Sequence, residues 1–258
     1  LRFHRTLRFH RTLRFRLTRR ALVVPSPLDD PRGVKVVDVP VFARAMVRAL
    51  RDSNATLDLL TGEEISSADR MSALVPLMGS TDEGRTLLRE RPRLGSAALP
   101  ALRRLPEGTL GRTYVDHLDR CGLDPDALDV PVTRAASDEA NYVLTRIRDT
   151  HDLWHALLGL GVAGHEEVLV HTFQWPQLRM PYSALVVFFG GLKHVVGERR
   201  VDVWRRGLRA AHAAGVAAAP LLPVHWEKHF DEPLVSVRAR FGIRPASTWG
   251  LDEGTVFA

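Results

Sequence analysis

Two imidazoles and two carboxylates carry the chemistry this sequence can offer: His151, Asp152 and His155 in the run HDLWH, and Glu167 twelve residues after His155. Histidines at i and i+4 share one helix face and aim two ring nitrogens at one point, as helix-borne zinc sites do. Asp152 stands about 100° further round the helix and can reach the same ion from the side. On a straight helix Glu167 would lie about 18 Å beyond His155, too far to share an ion whose bonds are near 2 Å. The chain must therefore turn back, and Gly159, Gly161 and Gly164 supply the means, because glycine ends helices and accepts left-handed caps. A helical hairpin would then face Glu167 toward the histidines. Two neutral imidazoles with two carboxylates would balance a divalent cation. A lone histidine pair reads as core histidines bonded to their neighbours; the turn and the two acids favour metal.

Other histidines compete for the role. His225 and His229 also stand at i and i+4 around Glu227, but their polar, tryptophan-flanked segment reads as an exposed helix start with no turn to bring a further carboxylate. His171, one turn beyond Glu167, is expected beside the ligands rather than among them. An adjacent His and Asp also occur in metal-dependent phosphohydrolases, but there the other ligands come from distant helices, not from a histidine three residues on.

The elements that must position these side chains read as helices. Ser137, Asp138 and Glu139 form a helix start, and the stripe Ala140, Val143, Leu144, Ile147 leads by threes and fours onto His151 and His155. The spacing predicts a helix over 138–158 and others near 67–78, 81–91, 111–121, 165–175, 182–199, 201–218 and 225–241. Residues 42–50 add an apolar stripe of Phe42, Ala45, Met46, Ala49 and Leu50. No stretch alternates with period two between hairpin turns, so a sheet is not expected. The fold class is all-α, a single-domain helical bundle with the metal site on a helical hairpin.

Composition narrows the function. The formal charge is +6, yet eight arginines between Arg2 and Arg20 precede the first acid, Asp29; without them 28 basic residues face 30 acidic ones. A nucleic-acid or anionic-lipid reading therefore concerns the tail alone, and the body is not expected to bind nucleic acid. The longest apolar run, Ala184 to Leu192, is nine residues, far below the roughly 20 that a helix needs to span a bilayer. Cys121 is the single cysteine, which excludes an intrachain disulfide framework, a thiolate zinc cage and a cysteine-held iron–sulfur cluster. Residues 1–16 read LRFHRT, LRFHRT, LRFR, an arginine-rich repeat expected to be a disordered extension, with a targeting or lipid-surface segment as the functional alternative. The expected organisation is a basic tail over 1–39, one helical domain over 40–245 and a C-terminal tail over 246–258.

HDLWH, eleven residues and then Glu167 resembles the metal signature of the ubiquinone (coenzyme Q) biosynthesis protein 4 family, and NYVLTRIRDTHDLWHALLGLG around it is similar to that family's approach to the motif. RERPRL at 89–94, LPEGTLGRTY at 105–114 and HWEKHFDEPLVSVRARFGI at 225–243 resemble family blocks in the same order. The chain departs where the family usually has glycine before the metal glutamate and a Lys-Trp pair with a later glutamate; here stand Glu166, His171, Thr172 and Gln174.

The resemblance implies a divalent metal, zinc, held by His151, Asp152, His155 and Glu167, and action on a prenylated aromatic ubiquinone precursor. The implied reaction replaces the ring C1 carboxylate by hydroxyl, an oxidative decarboxylation. It also implies peripheral contact with a membrane and association with other quinone-biosynthesis enzymes; homodimerisation is left open. Three lysines against 33 arginines associate with a GC-rich bacterial source, so the expected place is the bacterial cytoplasm at the inner membrane, with the matrix side of the mitochondrial inner membrane as the alternative. The ion would act as a Lewis acid on the ring carboxylate or the adjacent phenol oxygen. Four protein ligands on tetrahedral zinc leave no open position, so either coordination expands or one carboxylate is not a ligand. Asp152 and Glu167 are the candidate catalytic carboxylates, and Asp152, with the shorter arm, is the candidate base or orienter. The prenyl tail needs an apolar trough, for which 182–192 and 42–50 are candidates that read equally as core. The competing class is a non-enzymatic lipid-binding scaffold with the metal as a staple.

Overall fold

The computed structural model describes residues 56–198 and 201–251. The basic repeat, the 42–50 stripe and the end of the C-terminal tail lie outside them. Helices and short 3-10 turns build the described chain, with no strand among the described residues beyond one isolated bridge between Thr109 and Pro233.

Among the described residues ten α-helices follow one another: α1 Thr56–Met78, α2 Asp82–Glu90, α3 Leu99–Leu102, α4 Leu110–Cys121, α5 Asp138–Asp149, α6 His151–Leu158, α7 Gly164–Leu178, α8 Pro181–Glu198, α9 Val201–Ala217 and α10 Leu234–Phe241. Helix starts follow local chemistry. Thr81 and Ser137 accept hydrogen bonds from the backbone of Gly84 and Ala140, satisfying donors that the first turn leaves unpaired.

α7 is the hub, packed between α8 and α9, while α1 lies against α5 and α8, and α4 against α6. α9 approaches α7 so closely that a Cβ on Gly215 would stand 2.2 Å from the carbonyl oxygen of Phe173. Only glycine permits that approach. The interior is one continuous core, running from Met71 and Leu74 on α1 through Leu144 and Leu157 to Phe173 on α7 and Trp226.

Arginines close helix ends inside this core. Arg70 Nε donates to the carbonyl of Leu178 at 2.7 Å, ending α7, and Arg238 Nε donates to that of Leu157 at 2.8 Å, ending α6. Cations at these termini meet orphan carbonyls and the negative end of the helix dipole.

Two expectations are corrected. The helix expected over 138–158 is divided at Thr150, whose backbone departs from helical geometry (φ −103°, ψ 3°) while its hydroxyl donates to the carbonyl of Arg146. The helix expected over 225–241 is a 3-10 turn at Trp226–Lys228 followed by α10, which begins only after Pro233, a residue that cannot supply the amide a continuing helix requires.

Candidate metal centre

α6 ends at Gly159, in the left-handed region at φ 68°, and α7 begins at Gly164. This short connection folds the two helices together. His151 and His155 on α6 face Glu167 on α7, and donor atoms of these three side chains all lie within 4.8 Å of one another.

The geometry is more specific than that radius. His151 Nε2 stands 3.4 Å from one oxygen of Glu167, His155 Nε2 stands 3.5 Å from the other, and the two Nε2 atoms are 3.3 Å apart. These are slack distances for direct hydrogen bonds. Donors at about 2.1 Å from a common ion lie roughly 3.0–3.4 Å from one another, so these four atoms, two nitrogens and the two Glu167 oxygens, already stand near the spacing of a coordination shell.

The tautomer agrees. His155 Nδ1 lies 2.7 Å from the carbonyl of Gly161, an acceptor only, so Nδ1 carries the hydrogen and Nε2 presents its lone pair to the cluster. The Gly161 carbonyl is fixed in turn by Glu166. One Glu166 oxygen accepts the Gly161 amide at 2.6 Å and the other the Ala163 amide at 3.1 Å. Glu166 thus clamps the loop that orients His155, a role its neighbouring glutamate in the sequence did not announce.

Electrostatics follow from burial and from the cluster itself. Burial pulls the His151 imidazole down, but the hydrogen bond and charge of Glu167 more than offset it, leaving it near pH 9 against an ordinary 6.5. Burial pushes Glu167 upward, and His155 and His151 overcome it, holding the carboxyl well below the usual range. Asp152 is half-buried and is not one of the three grouped side chains. Burial pushes its carboxyl upward while His151 and His155 pull it down.

Two further imidazoles flank the cluster. His117, from α4, lies with its ring 5.8 Å from that of His155, and desolvation together with His155 lowers it to about 4. The sequence carried no signal for it, because α4 reaches the site only by tertiary packing. His171 sits beside the cluster, its ring 5.4 Å from that of His151.

The second histidine pair does something else. His225 and His229 are buried, not on an exposed helix start, and Glu227 between them receives two hydrogen bonds from Arg146, at 2.6 and 2.7 Å. That bidentate pair ties the 225–229 segment to α5, one turn before the metal-motif helix begins.

Of the two expected apolar troughs, 42–50 lies outside the described residues. The 182–192 stretch contributes Ala184, Val187 and Phe188 to an open groove of about 490 Å³, completed by Trp175 of α7 and Leu208 of α9. No described helix is long and apolar enough to cross a membrane.

With this geometry in view, comparison with known proteins gives a consistent result. The family model described as coenzyme Q (ubiquinone) biosynthesis protein Coq4 matches residues 35–247. A mitochondrial ubiquinone biosynthesis protein COQ4 of Coprinopsis cinerea is 32% identical over 190 residues, which cover 72% of this chain and 65% of that relative's length. A protein of the same name from Paracoccidioides brasiliensis is 33% identical over 196 residues, 75% of this chain and 68% of the relative. The chain thus spans about two thirds of the length of these relatives. A crystal structure from Nostoc punctiforme, titled a putative ubiquinone biosynthesis protein, shares the fold with a TM-score of 0.64 at 20% identity, over 80% of this chain and 98% of that one.

Proposed function

The chain belongs to the coenzyme Q (ubiquinone) biosynthesis protein Coq4 family, and from that membership we propose that it removes the C1 carboxylate of a prenylated hydroxybenzoate at a divalent-metal site, leaving a hydroxyl. The observation that carries this reading is the convergence of His151 Nε2, His155 Nε2 and Glu167, with the His155 lone pair turned inward by Gly161.

Three protein donors fit a divalent cation and leave coordination positions open, the pattern of catalytic rather than structural sites. Bound there, the ion would supply Lewis acidity to the ring carboxylate. Asp152, outside the trio, serves as the base or orienter, its carboxyl raised by burial and so better able to take a proton at a side-chain oxygen. Glu167 balances charge between the imidazoles. The prenyl tail lies along the groove bordered by Trp175 and Phe188.

Replacing carboxylate by hydroxyl releases carbon dioxide, takes an oxygen atom and withdraws two electrons from the substrate. Zinc, the expected ion, has no redox chemistry, so with zinc an external oxidant such as dioxygen must accept those electrons. Two imidazoles and one carboxylate are also the donor set of non-haem iron(II) oxygenases. That three-donor set favours iron as the second reading, and the metal content decides between them.

The substrate's long chain implies work at a membrane surface, beside other quinone-biosynthesis enzymes. The curated relatives are named mitochondrial, which favours the matrix side of the inner membrane over a bacterial cytoplasm. The competing scaffold reading separates cleanly in one assay. Purified chain is incubated with metal, oxidant and a carboxylated prenyl-phenol. Product that disappears in folded Glu167→Ala supports the enzyme; prenyl binding without turnover in the native chain supports the scaffold.

A further inference from the structure

His171 is held by a relay that the metal trio does not require. Ser183 Oγ donates its single hydrogen to Gln174 Oε1 at 3.1 Å, and His171 Nδ1 stands 3.2 Å from the same Ser183 Oγ. With that hydroxyl's proton already committed, the serine oxygen can only accept from the ring. Nδ1 therefore carries the hydrogen, and Nε2 of the neutral imidazole is an acceptor with no donor of its own.

All three members are buried, with His171, Gln174 and Ser183 at 8%, 4% and 1% exposure, so the relay is not a surface accident. Gln174 and Ser183 come from α7 and α8, and their mutual bond leaves His171 little freedom to turn over. The ring's hydrogen bond runs from Nδ1 to Ser183, and the Gln174 side chain also stands within hydrogen-bonding reach of the ring. Its ring lies 5.4 Å from that of His151 on one side and 5.6 Å from that of Tyr182 on the other. It also stands one turn beyond Glu167 on the same helix face, so a ligand at the trio passes within its reach.

We infer that His171 Nε2 accepts a hydrogen bond from a hydroxyl on the molecule bound at the His151–His155–Glu167 face, and so selects aromatic acids that bear a free phenolic hydroxyl. Ser183 and Gln174 are positioning residues that keep the ring in its acceptor tautomer. The inference deepens the proposed function and rests on it. An acceptor-only nitrogen rejects a ligand that brings no donor, because the nitrogen is then desolvated without a partner.

The test uses the full chain loaded with zinc and two probes, 4-hydroxy-3-prenylbenzoate and 3-prenylbenzoate, which lacks only the hydroxyl. Calorimetry gives both dissociation constants. The native chain is expected to prefer the hydroxylated probe by about tenfold or more, and His171→Phe to bind both alike while keeping one equivalent of zinc. Equal affinity in the native chain overturns the inference, as does a preference that survives in His171→Phe. Loss of zinc in His171→Phe also overturns it, because the ring would then be a ligand. Failure of both probes to bind removes the proposed function as well, whereas binding without preference removes this inference alone. A second readout needs no folded His171 variant. Nitrogen-15 spectra should show His171 as the Nδ1–H tautomer in the native chain and a tautomer mixture in Ser183→Ala; an Nε2–H ring in the native chain refutes the assignment.

Discussion

Removing the carboxylate of Glu227 should unfold this protein more readily than removing the guanidinium it faces. Arg146 is 1% exposed and meets Glu227, 24% exposed at its side chain, through two short parallel bonds. In Glu227→Ala the arginine keeps its charge in the core with neither oxygen to meet it, a change that costs about 3–5 kcal/mol. Arg146→Met removes that buried charge with similar volume and leaves Glu227 able to turn to water, so its cost should be under about 2 kcal/mol. For a chain of this size each kcal/mol shifts the midpoint by about 2–4 °C, so Glu227→Ala should melt roughly 6–20 °C lower. Urea and thermal unfolding followed by circular dichroism give both numbers, and the double variant Arg146→Met/Glu227→Leu should recover most of the Glu227→Ala loss. Equal losses in the two single variants, or a Glu227→Ala loss below about 1 kcal/mol, would refute the reasoning.

Three further outcomes follow from the structure. Gly215→Ala should cost about 1–3 kcal/mol or more in urea unfolding, because the new Cβ meets the carbonyl of Phe173 at 2.2 Å and forces α9 from α7; an unchanged midpoint would contradict that packing. In metal-stripped protein, His151 is raised from 6.5 to about 9, so its contribution is full below pH 6.5 and fades as pH climbs through 9. Native chain should therefore lose up to about 3 kcal/mol across that window relative to Glu167→Gln, and parallel pH profiles of the two would count against it. Glu166→Ala, by freeing Gly161, should weaken metal binding about 10–100-fold with the fold retained; unaltered affinity in a competition titration would show the clamp to be idle.

Much of the site was legible because its geometry is local. The i, i+4 spacing put His151 and His155 on one face, and Gly159 marked the turn that faces them to Glu167. Cap chemistry placed Ser137 where a helix begins. What the sequence hid is long-range. His117 arrives by the packing of α4 on α6, and His225 and His229 are buried because the neighbouring Glu227 answers an arginine 81 residues away. Local polarity made that segment look exposed. Pro233 offered a stop signal within 225–241, and a hydrophobic pattern running across it hid the break. The division at Thr150 had no signal in the sequence: a hydroxyl-to-carbonyl bond like the one it makes to Arg146 is also made by Thr113 and Thr172, and their helices run on unbroken.

The most direct test is the quantity of divalent metal per chain, by elemental analysis of purified, reconstituted protein beside a His155→Ala variant whose circular dichroism matches it. About one equivalent in the native chain and none in the variant is expected, with the element found deciding between Lewis-acid zinc and redox-capable iron. A native chain that holds no metal after reconstitution, or a variant that holds as much, would contradict a metal centre at His151, His155 and Glu167.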